Sequence, residues 1–284
     1  MSRIAYVNGE FVPLAEARIS VLDRGFLFAD GIYEVTAVVD GRLVDNASHL
    51  ARLERSTAEI GLALPEAPET ITALQKKLVQ RNGLNEGVVY LQVTRGAADR
   101  DFLPEPGMKP SLVMFTQEKA ILVSPTAARG IAVKSLPDIR WARRDIKSVA
   151  LLAQVLAKQA AAAEGCQEAW MVEDGFVTEG ASSTSWLLTH DNRLVTRARS
   201  HATLPGCTAL AIAALAAEEG LVIEERPFTI AEALAAREAF TTSASALVLP
   251  VISIDGQPVG DGKPGPVATR LRALYLDFAR RTAD

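Results

Sequence analysis

The chain has 284 residues, 49% of them hydrophobic and 23% charged, enough apolar material for one large domain or two of ordinary size. Its 30 basic and 34 acidic residues give a net charge of −4 without long like-charge blocks, so the basic stripe of a nucleic-acid binder is missing. No apolar run reaches the ~20 residues needed to span a bilayer, and the first residues read as a strand entering a turn rather than a secretory signal. Cys166 and Cys207 could pair, but two cysteines make no disulfide framework, and a reducing cytoplasm is the expected compartment.

The expected elements begin with hairpins. Asn8-Gly9 separates two short apolar stretches, and Asp40-Gly41 separates Tyr33–Val39 from Arg42–Val44; both dipeptides tolerate the positive φ of a tight turn. Asn46 is expected to cap a helix running to about Leu62, and a second helix covers Glu69 to Arg81. Val88–Thr94 alternates and is rich in β-branched residues, which predicts a strand. Residues 95–110, with glycine, proline and charge, read as a long functional loop. The pattern resets around Gln117–Thr126, so the expected division is a domain over residues 1–118, a linker at 119–126 and a second domain over 127–284. Beyond it come a strand at Ile131–Ser135, a helix over Ser148–Ala163 ended by Gly165, and a hairpin of Glu168–Glu173 with Phe176–Glu179 about Asp174-Gly175. Cys207–Glu219 is almost wholly apolar and is expected to be a buried helix, ended by Gly220. Thr229 and Glu232 have capping-box spacing. Strands at Ala239–Thr242 and Val248–Ile254 and a helix from Pro266 to Arg281 complete the chain. There is no internal repeat, and the mixture predicts an α+β protein of two domains, each with strands and helices.

Few residues declare their chemistry by spacing alone. Lys147, in Asp145-Ile146-Lys147-Ser148, stands where the loop becomes a helix. An amine there attacks a carbonyl only if its surroundings favour the neutral form, and by spacing alone it reads as an ordinary solvated lysine. Glu179 ends a strand ahead of the small polar run Gly180-Ala181-Ser182-Ser183-Thr184. A carboxylate so placed could keep a ring nitrogen protonated, which lets a pyridine cofactor act as an electron sink, or could simply face water. Two segments could bind a phosphate or be ordinary caps and turns. Leu204-Pro205-Gly206-Cys207-Thr208 leads into the apolar helix, whose free N–H groups and positive end suit an anion, with the Thr208 hydroxyl beside them. Thr241-Thr242-Ser243-Ala244-Ser245 is a second run of small residues after a strand. Arg52, on the helix after His49-Leu50, could balance the charge. His49, His190 and His201 show no metal-ligand spacing, which argues against catalytic zinc, and no Gly-x-Ser-x-Gly elbow or Walker loop is present.

Taken together, these segments resemble the fold-type IV pyridoxal-phosphate enzymes, the family of D-amino acid transaminases, branched-chain aminotransferases and aminodeoxychorismate lyases. The likeness runs from Tyr6-Val7-Asn8-Gly9 to Pro250-Val251-Ile252. It is most specific at Arg18-Ile19-Ser20-Val21-Leu22-Asp23-Arg24-Gly25, at Asp138-Ile139-Arg140-Trp141 with Asp145-Ile146-Lys147-Ser148, and at Gly175-Phe176-Val177-Thr178-Glu179-Gly180. The resemblance implies a two-domain fold in which the 127–284 domain binds pyridoxal 5'-phosphate. Lys147 would carry it as a Schiff base and shuttle the proton, and Glu179 would pair with the pyridine nitrogen. Arg52, with the backbone at Cys207 and Thr208, would bind the phosphate, and Leu204 would pack on the ring. Tyr33 would stand near the substrate carboxylate, with Ser245 also on the substrate side.

Gly31-Ile32-Tyr33-Glu34-Val35 looks like the D-amino acid branch. In that branch the loop at Thr94–Phe102 supplies an arginine and a histidine, two residues apart, which trap the substrate carboxylate of the neighbouring subunit. Arg100 matches the arginine and implies a homodimer, but Phe102 stands in place of the histidine. Ala244 replaces a phosphate-binding threonine, leaving its backbone N–H to serve, and Thr184 replaces an asparagine. The expected reaction is transfer of an amino group from a D-amino acid to a 2-oxo acid. A branched-chain L-aminotransferase, an (R)-amine transaminase, an aminodeoxychorismate lyase and a non-catalytic pyridoxal-phosphate-binding module are the alternatives.

Overall fold

The computed structural model describes residues 3–283, and by its contacts the chain divides into two units. The first comprises the chain through Leu122, Ile146–Ala150 and the residues from Ala279 onward; the second is Val123–Asp145 with Leu151–Phe278. The division is therefore not sequential, as a boundary at 119–126 would make it: the short segment carrying Lys147 groups with the first unit.

In the first unit the elements are β1 (Ile4–Val7), β2 (Glu10–Pro13), a 3-10 turn at Leu14–Glu16, α1 (Arg24–Phe28), β3 (Gly31–Val39), β4 (Arg42–Leu43), α2 (Asn46–Glu59), α3 (Pro68–Asn82), β5 (Gly87–Thr94) and β6 (Ser111–Glu118). The strands form one sheet in the order β2-β1-β6-β5-β3-β4 with antiparallel neighbours. Both expected dipeptides make the turns, Asn8 and Gly9 at φ 48° and 103° and Asp40 and Gly41 at 51° and 72°, a region these residue types enter at least cost. Strand alternation sends Ile32, Val38, Val89, Leu91 and Val93 to one face, where Leu50, Leu53, Ile71 and Leu78 of α2 and α3 close the core.

Asn46 does not cap α2. Asp45, at φ 52°, precedes the helix, and Asn46 lies within it. There its buried side chain accepts from Thr36 Oγ1 at 3.1 Å and donates to Gln75 Oε1 at 2.9 Å. Two buried partners outweigh the single N–H a cap would have satisfied.

The second unit runs α4 (Pro125–Arg129), β7 (Ile131–Pro137), α5 (Leu152–Ala163), β8 (Glu168–Glu173), β9 (Phe176–Gly180), β10 (Thr184–Leu188), β11 (Arg193–Thr196), α6 (Cys207–Glu218), β12 (Val222–Glu225), α7 (Ile230–Leu234), β13 (Glu238–Ser243), β14 (Leu247–Ile254), β15 (Gln257–Pro258) and α8 (Pro266–Thr282), of which the last turn groups with the first unit. Its sheet has the order β12-β11-β10-β13-β14-β7-β8-β9, with β15 on β14. Pairing is parallel at β11–β12, β14–β7 and β7–β8. Five strand spacings separate β10 from β9 along this order, roughly 24 Å if the sheet were flat. The connection Ala181–Ser183 reaches at most about 14 Å. The sheet must curl to bring β9 toward β10, and its inner face buries Ile131, Val133, Trp170, Val177, Leu187 and Val251.

Three local expectations need correction. The helix expected from Ser148 starts at Leu152, because Ser148 and Val149 are occupied in bridging the backbone of β3. The apolar α6 is buried along one side only: Ile212, Leu215 and Ala216 face inward, while Leu210 is 43% exposed. Alanine-rich composition is compatible with water, so it does not by itself mark a buried helix. Thr229 caps α7 by accepting from Glu232 N at 3.1 Å, but the Glu232 carboxylate turns to Arg226, so the reciprocal half of the capping box is absent.

Candidate functional site

In the first unit the candidate groups lie on the two faces of β3. Toward the core, between Ile32 and Val38, alternation also places Glu34 and Thr36, and these polar groups meet the buried side of α2. Arg52 grips Glu34 through Nε and Nη2 at 2.8 and 2.7 Å, and His49 Nδ1 lies 2.8 Å from Glu34 Oε2. Burial alone would raise the Glu34 carboxyl, but the Arg52 charge and the donors from Arg52 and His49 prevail and hold it at about 2. Arg52, read from the sequence as a phosphate ligand, is thus first the partner of a buried carboxylate.

On the opposite face Tyr33 stacks on Tyr90 at 5.7 Å, and Tyr90 on Phe115 at 4.8 Å. Burial, and then the neighbouring Tyr33, push the Tyr90 hydroxyl well above its ordinary value. The segment Ile146–Val149 lies along the end of β3 that β4 leaves unpaired. Tyr33 N donates to Lys147 O at 3.0 Å, Val149 N to Gly31 O at 3.0 Å, and Lys147 N to Ser56 Oγ at 3.3 Å. Ile146 anchors the segment in the core. With its backbone held on both sides, Lys147 extends its amine over the Tyr33 ring, 4.4 Å from the centroid.

The 95–110 loop is irregular, as expected. Its base is held by two aspartates. Asp23 accepts from Thr94 Oγ1 and Ser111 Oγ at 2.9 and 2.8 Å, and Asp30 binds Arg95 and Arg24 at 2.7 and 2.8 Å. Burial works against the Asp30 charge, but these two arginines outweigh it and hold its carboxyl below the usual value. Arg100 and Phe102 are exposed at the loop's outer part.

In the second unit Glu179 sits at a β-bulge. The pairs Val172↔Val177 and Trp170↔Gly180 leave Thr178 and Glu179 together opposite Met171, which breaks the alternation. Thr178 donates to Met171 O at 3.1 Å and to Asp138 Oδ2 at 2.6 Å. Glu179 is 4% exposed, and its carboxylate accepts from Arg140 Nη1 at 2.5 Å and from Leu204 N at 3.1 and 3.2 Å. Asp138 holds Arg140 from the other side at 2.7 Å, and Arg144 carries the chain on to Glu173. Desolvation is the largest influence on both Asp138 and Arg140, but their mutual attraction prevails: the carboxyl lies below its ordinary value and the guanidinium above. Asp138 and Arg140 were visible in the sequence only as part of a family stretch. The signal that could have marked them is an acidic–basic pair two residues apart in an otherwise apolar segment.

Helix α6 starts beside this group. Gly206 is its N-cap and supplies no side-chain acceptor, so the N–H groups of the first turn have no intrahelical partner. Among the described residues the buried Thr208 Oγ1 has no hydrogen-bond partner. A Cβ on Gly206 would meet Thr184 Oγ1 at 2.8 Å, which gives Thr184 a packing role. A cavity of about 40 Å³ adjoins Glu179, Thr184, Leu204 and Gly206. It has room for a water or two. The 244–246 turn between β13 and β14 carries Ala244 and Ser245, both half-buried, and Arg272 fixes it by donating to Ala246 O and Val248 O at 2.7 and 3.0 Å.

The groups of the second unit fit a phosphorylated pyridine. An orphaned hydroxyl and free N–H groups at a helix start suit a dianion, and a buried carboxylate held by Arg140 and Leu204 N suits a protonated ring nitrogen. In the first unit, considered by itself, the half-buried Lys147 carries an amine of the kind that reacts with a carbonyl carbon. No group of histidine, cysteine and acidic residues with metal-binding geometry occurs among the described residues.

The family model for class IV amino-transferases matches residues 31–254. D-alanine aminotransferase of Staphylococcus aureus (strain MSSA476) is 38% identical over 276 residues, 96% of each chain. That of Bacillus licheniformis is 38% identical over 279 residues, 97% of each. Among solved structures, a T.th. branched-chain amino acid aminotransferase with pyridoxamine 5'-phosphate superposes with a TM-score of 0.90 at 26% identity, covering 99% of this chain and 95% of that one. The Escherichia coli branched-chain enzyme, at 21% identity and a TM-score of 0.90, shares the fold over 98% of this chain and 95% of its own.

Proposed function

The chain belongs to the class IV aminotransferases, and from that premise we propose that it transfers the amino group of a D-amino acid to a 2-oxo acid with pyridoxal 5'-phosphate as cofactor. The observation that carries this reading is the presence of two constructed groups. One is the Lys147 amine, presented by a backbone pinned at both ends. The other is the Glu179 carboxylate, pinned by Arg140 and Leu204 N. The D-amino acid branch draws its support from Arg100 and from the near full-length likeness to D-alanine aminotransferases.

When bound, pyridoxal phosphate supplies an electron-withdrawing ring that stabilises negative charge at the substrate α-carbon. The protein's own residues do the rest. Lys147 would hold the cofactor through Nζ and could move a proton at that atom, a general acid–base role. Glu179 would accept a hydrogen bond from the ring nitrogen and so favour its protonated form, and Arg140 holds Glu179 in place. In the second unit the Cys207 and Thr208 N–H groups, the Thr208 hydroxyl and the Ala244 backbone would bind the phosphate and Leu204 would cover the ring; Arg52 of the first unit is the further cation the resemblance implies for it. Tyr33 and Ser245 border the substrate. Arg100 grips its carboxylate, from the neighbouring subunit of a homodimer. Val21, Phe26, Phe102 and Leu103, each more than 70% accessible, are the apolar side chains such a dimer would cover. We place the enzyme in the cytoplasm; no helix among the described residues is long and apolar enough to cross a membrane.

Replacing Lys147 with alanine is expected to abolish turnover, and near-normal turnover would sink the assignment. A second reading rests on Phe102. With no second donor beside Arg100, the grip on a carboxylate depends on one residue, which favours acceptance of (R)-amines. Comparable rates with D-alanine and an (R)-amine would support it.

A further inference from the structure

The outer part of the 95–110 loop holds an arrangement that the roles above leave unexplained. Arg100 donates no hydrogen bond and joins no ion pair among the described residues; its guanidinium lies against two aromatic rings. Its guanidinium carbon lies 5.1 Å from the Phe28 centroid and 5.6 Å from that of Phe102, and the rings are 5.5 Å apart at an interplanar angle of 45°. Both rings have fixed bases. Phe28 ends α1, and Arg24 of the same helix donates to Asp101 O and to Phe102 O while its Nε binds Asp30 at 2.8 Å. Phe102 is nevertheless 76% exposed, so hydrophobic burial within the chain does not account for its position.

We propose that Phe28 and Phe102 form an aromatic clamp that positions Arg100 for the substrate carboxylate and takes the place of a second hydrogen-bond donor. The inference rests on Arg100 being the carboxylate grip. A ring face attracts a guanidinium without using any of its N–H groups, so all five donors stay available in the plane that a carboxylate engages bidentately. Stacking also restricts a long, rotamer-rich side chain before substrate arrives, which lowers the ordering cost of binding. Phenylalanine cannot donate to the substrate, so Phe102 acts through Arg100 as a positioning residue. What position 102 must supply is a π face; volume alone does not suffice.

Steady-state kinetics of the holoenzyme with D-alanine and a 2-oxo acid test this. Phe102→Leu keeps an apolar side chain and removes the face. It is expected to raise the KM of both substrates about two- to fivefold, the size of an exposed cation–π contact, with kcat little changed. Phe102→Tyr is expected to restore both KM values, and Phe28→Leu to act like Phe102→Leu, with thermal unfolding confirming that it folds. A Phe102→Leu enzyme with unaltered KM, or a Phe102→Tyr enzyme as impaired as Phe102→Leu, overturns the clamp. Arg100→Ala separates the two levels of the argument. A raised KM in Arg100→Ala with an unaltered one in Phe102→Leu removes the clamp alone, whereas an unaltered KM in Arg100→Ala removes the assignment of Arg100 and the clamp with it.

Discussion

Replacing Glu34 with glutamine removes the anion from the buried cluster beneath β3 and leaves Arg52 and His49 facing a neutral amide. The carboxyl is held at about 2 against an ordinary 4.5, a difference worth about 3 kcal/mol at neutral pH. The usual cost of breaking a buried ion pair, about 3–5 kcal/mol, agrees. Because the folded-state value lies below the unfolded one, this stabilisation is fully present above the unfolded value. It is lost as pH falls from about 4.5 through about 2. Urea unfolding of wild-type and Glu34→Gln protein should therefore differ by about 3 kcal/mol at pH 7 and by only about 1.5 kcal/mol at pH 3. A difference under about 0.5 kcal/mol at pH 7, or one that does not shrink on acidification, would refute the account of this cluster.

Thr208→Val removes a hydroxyl that has no internal partner, so the cofactor-free protein should keep its unfolding midpoint. The dissociation constant for pyridoxal phosphate should rise at least about tenfold, the value of one hydrogen bond to a charged group; an unchanged constant in a fluorescence titration would remove Thr208 from the phosphate site. Arg140→Met removes the cation shared by the buried carboxylates of Asp138 and Glu179 and should destabilise the fold by about 3–5 kcal/mol. Glu173→Gln, at the half-exposed end of the same chain of ion pairs, should cost less than about 1 kcal/mol. Equal costs for the two would show that burial does not rank these pairs.

Much of the fold was legible because it is local. Asn8-Gly9, Asp40-Gly41 and Asp174-Gly175 each mark a hairpin, and all adopt the positive φ those residue types permit. What was hidden depends on tertiary partners. Ser148 and Val149 have helix-compatible neighbours in sequence, yet β3 takes them as an added strand edge, and this delays α5 to Leu152. Asn46 has a cap's chemistry, but Thr36 and Gln75, distant in sequence, draw it into the core.

The candidate site divides in the same way. Lys147, Glu179 and Thr208 could be singled out because a family resemblance assigned them roles, and spacing alone left each with an ordinary reading. Their supports could not be read off. Arg140 reaches Glu179 across 39 residues of sequence, and Glu34 meets Arg52 only because strand alternation and the buried face of α2 coincide. The bulge that sets Thr178 and Glu179 against Met171 is a matter of register, which one strand's sequence does not contain.

The central claim is tested most directly by the visible spectrum of the pyridoxal-phosphate-loaded protein as D-alanine, and separately L-leucine, is added without an oxo-acid acceptor. A D-amino acid transaminase should lose its visible band with D-alanine and keep it with L-leucine. Loss with L-leucine alone would contradict the assignment of Arg100 and the D-amino acid branch, and no response to either would contradict the proposed half-reaction.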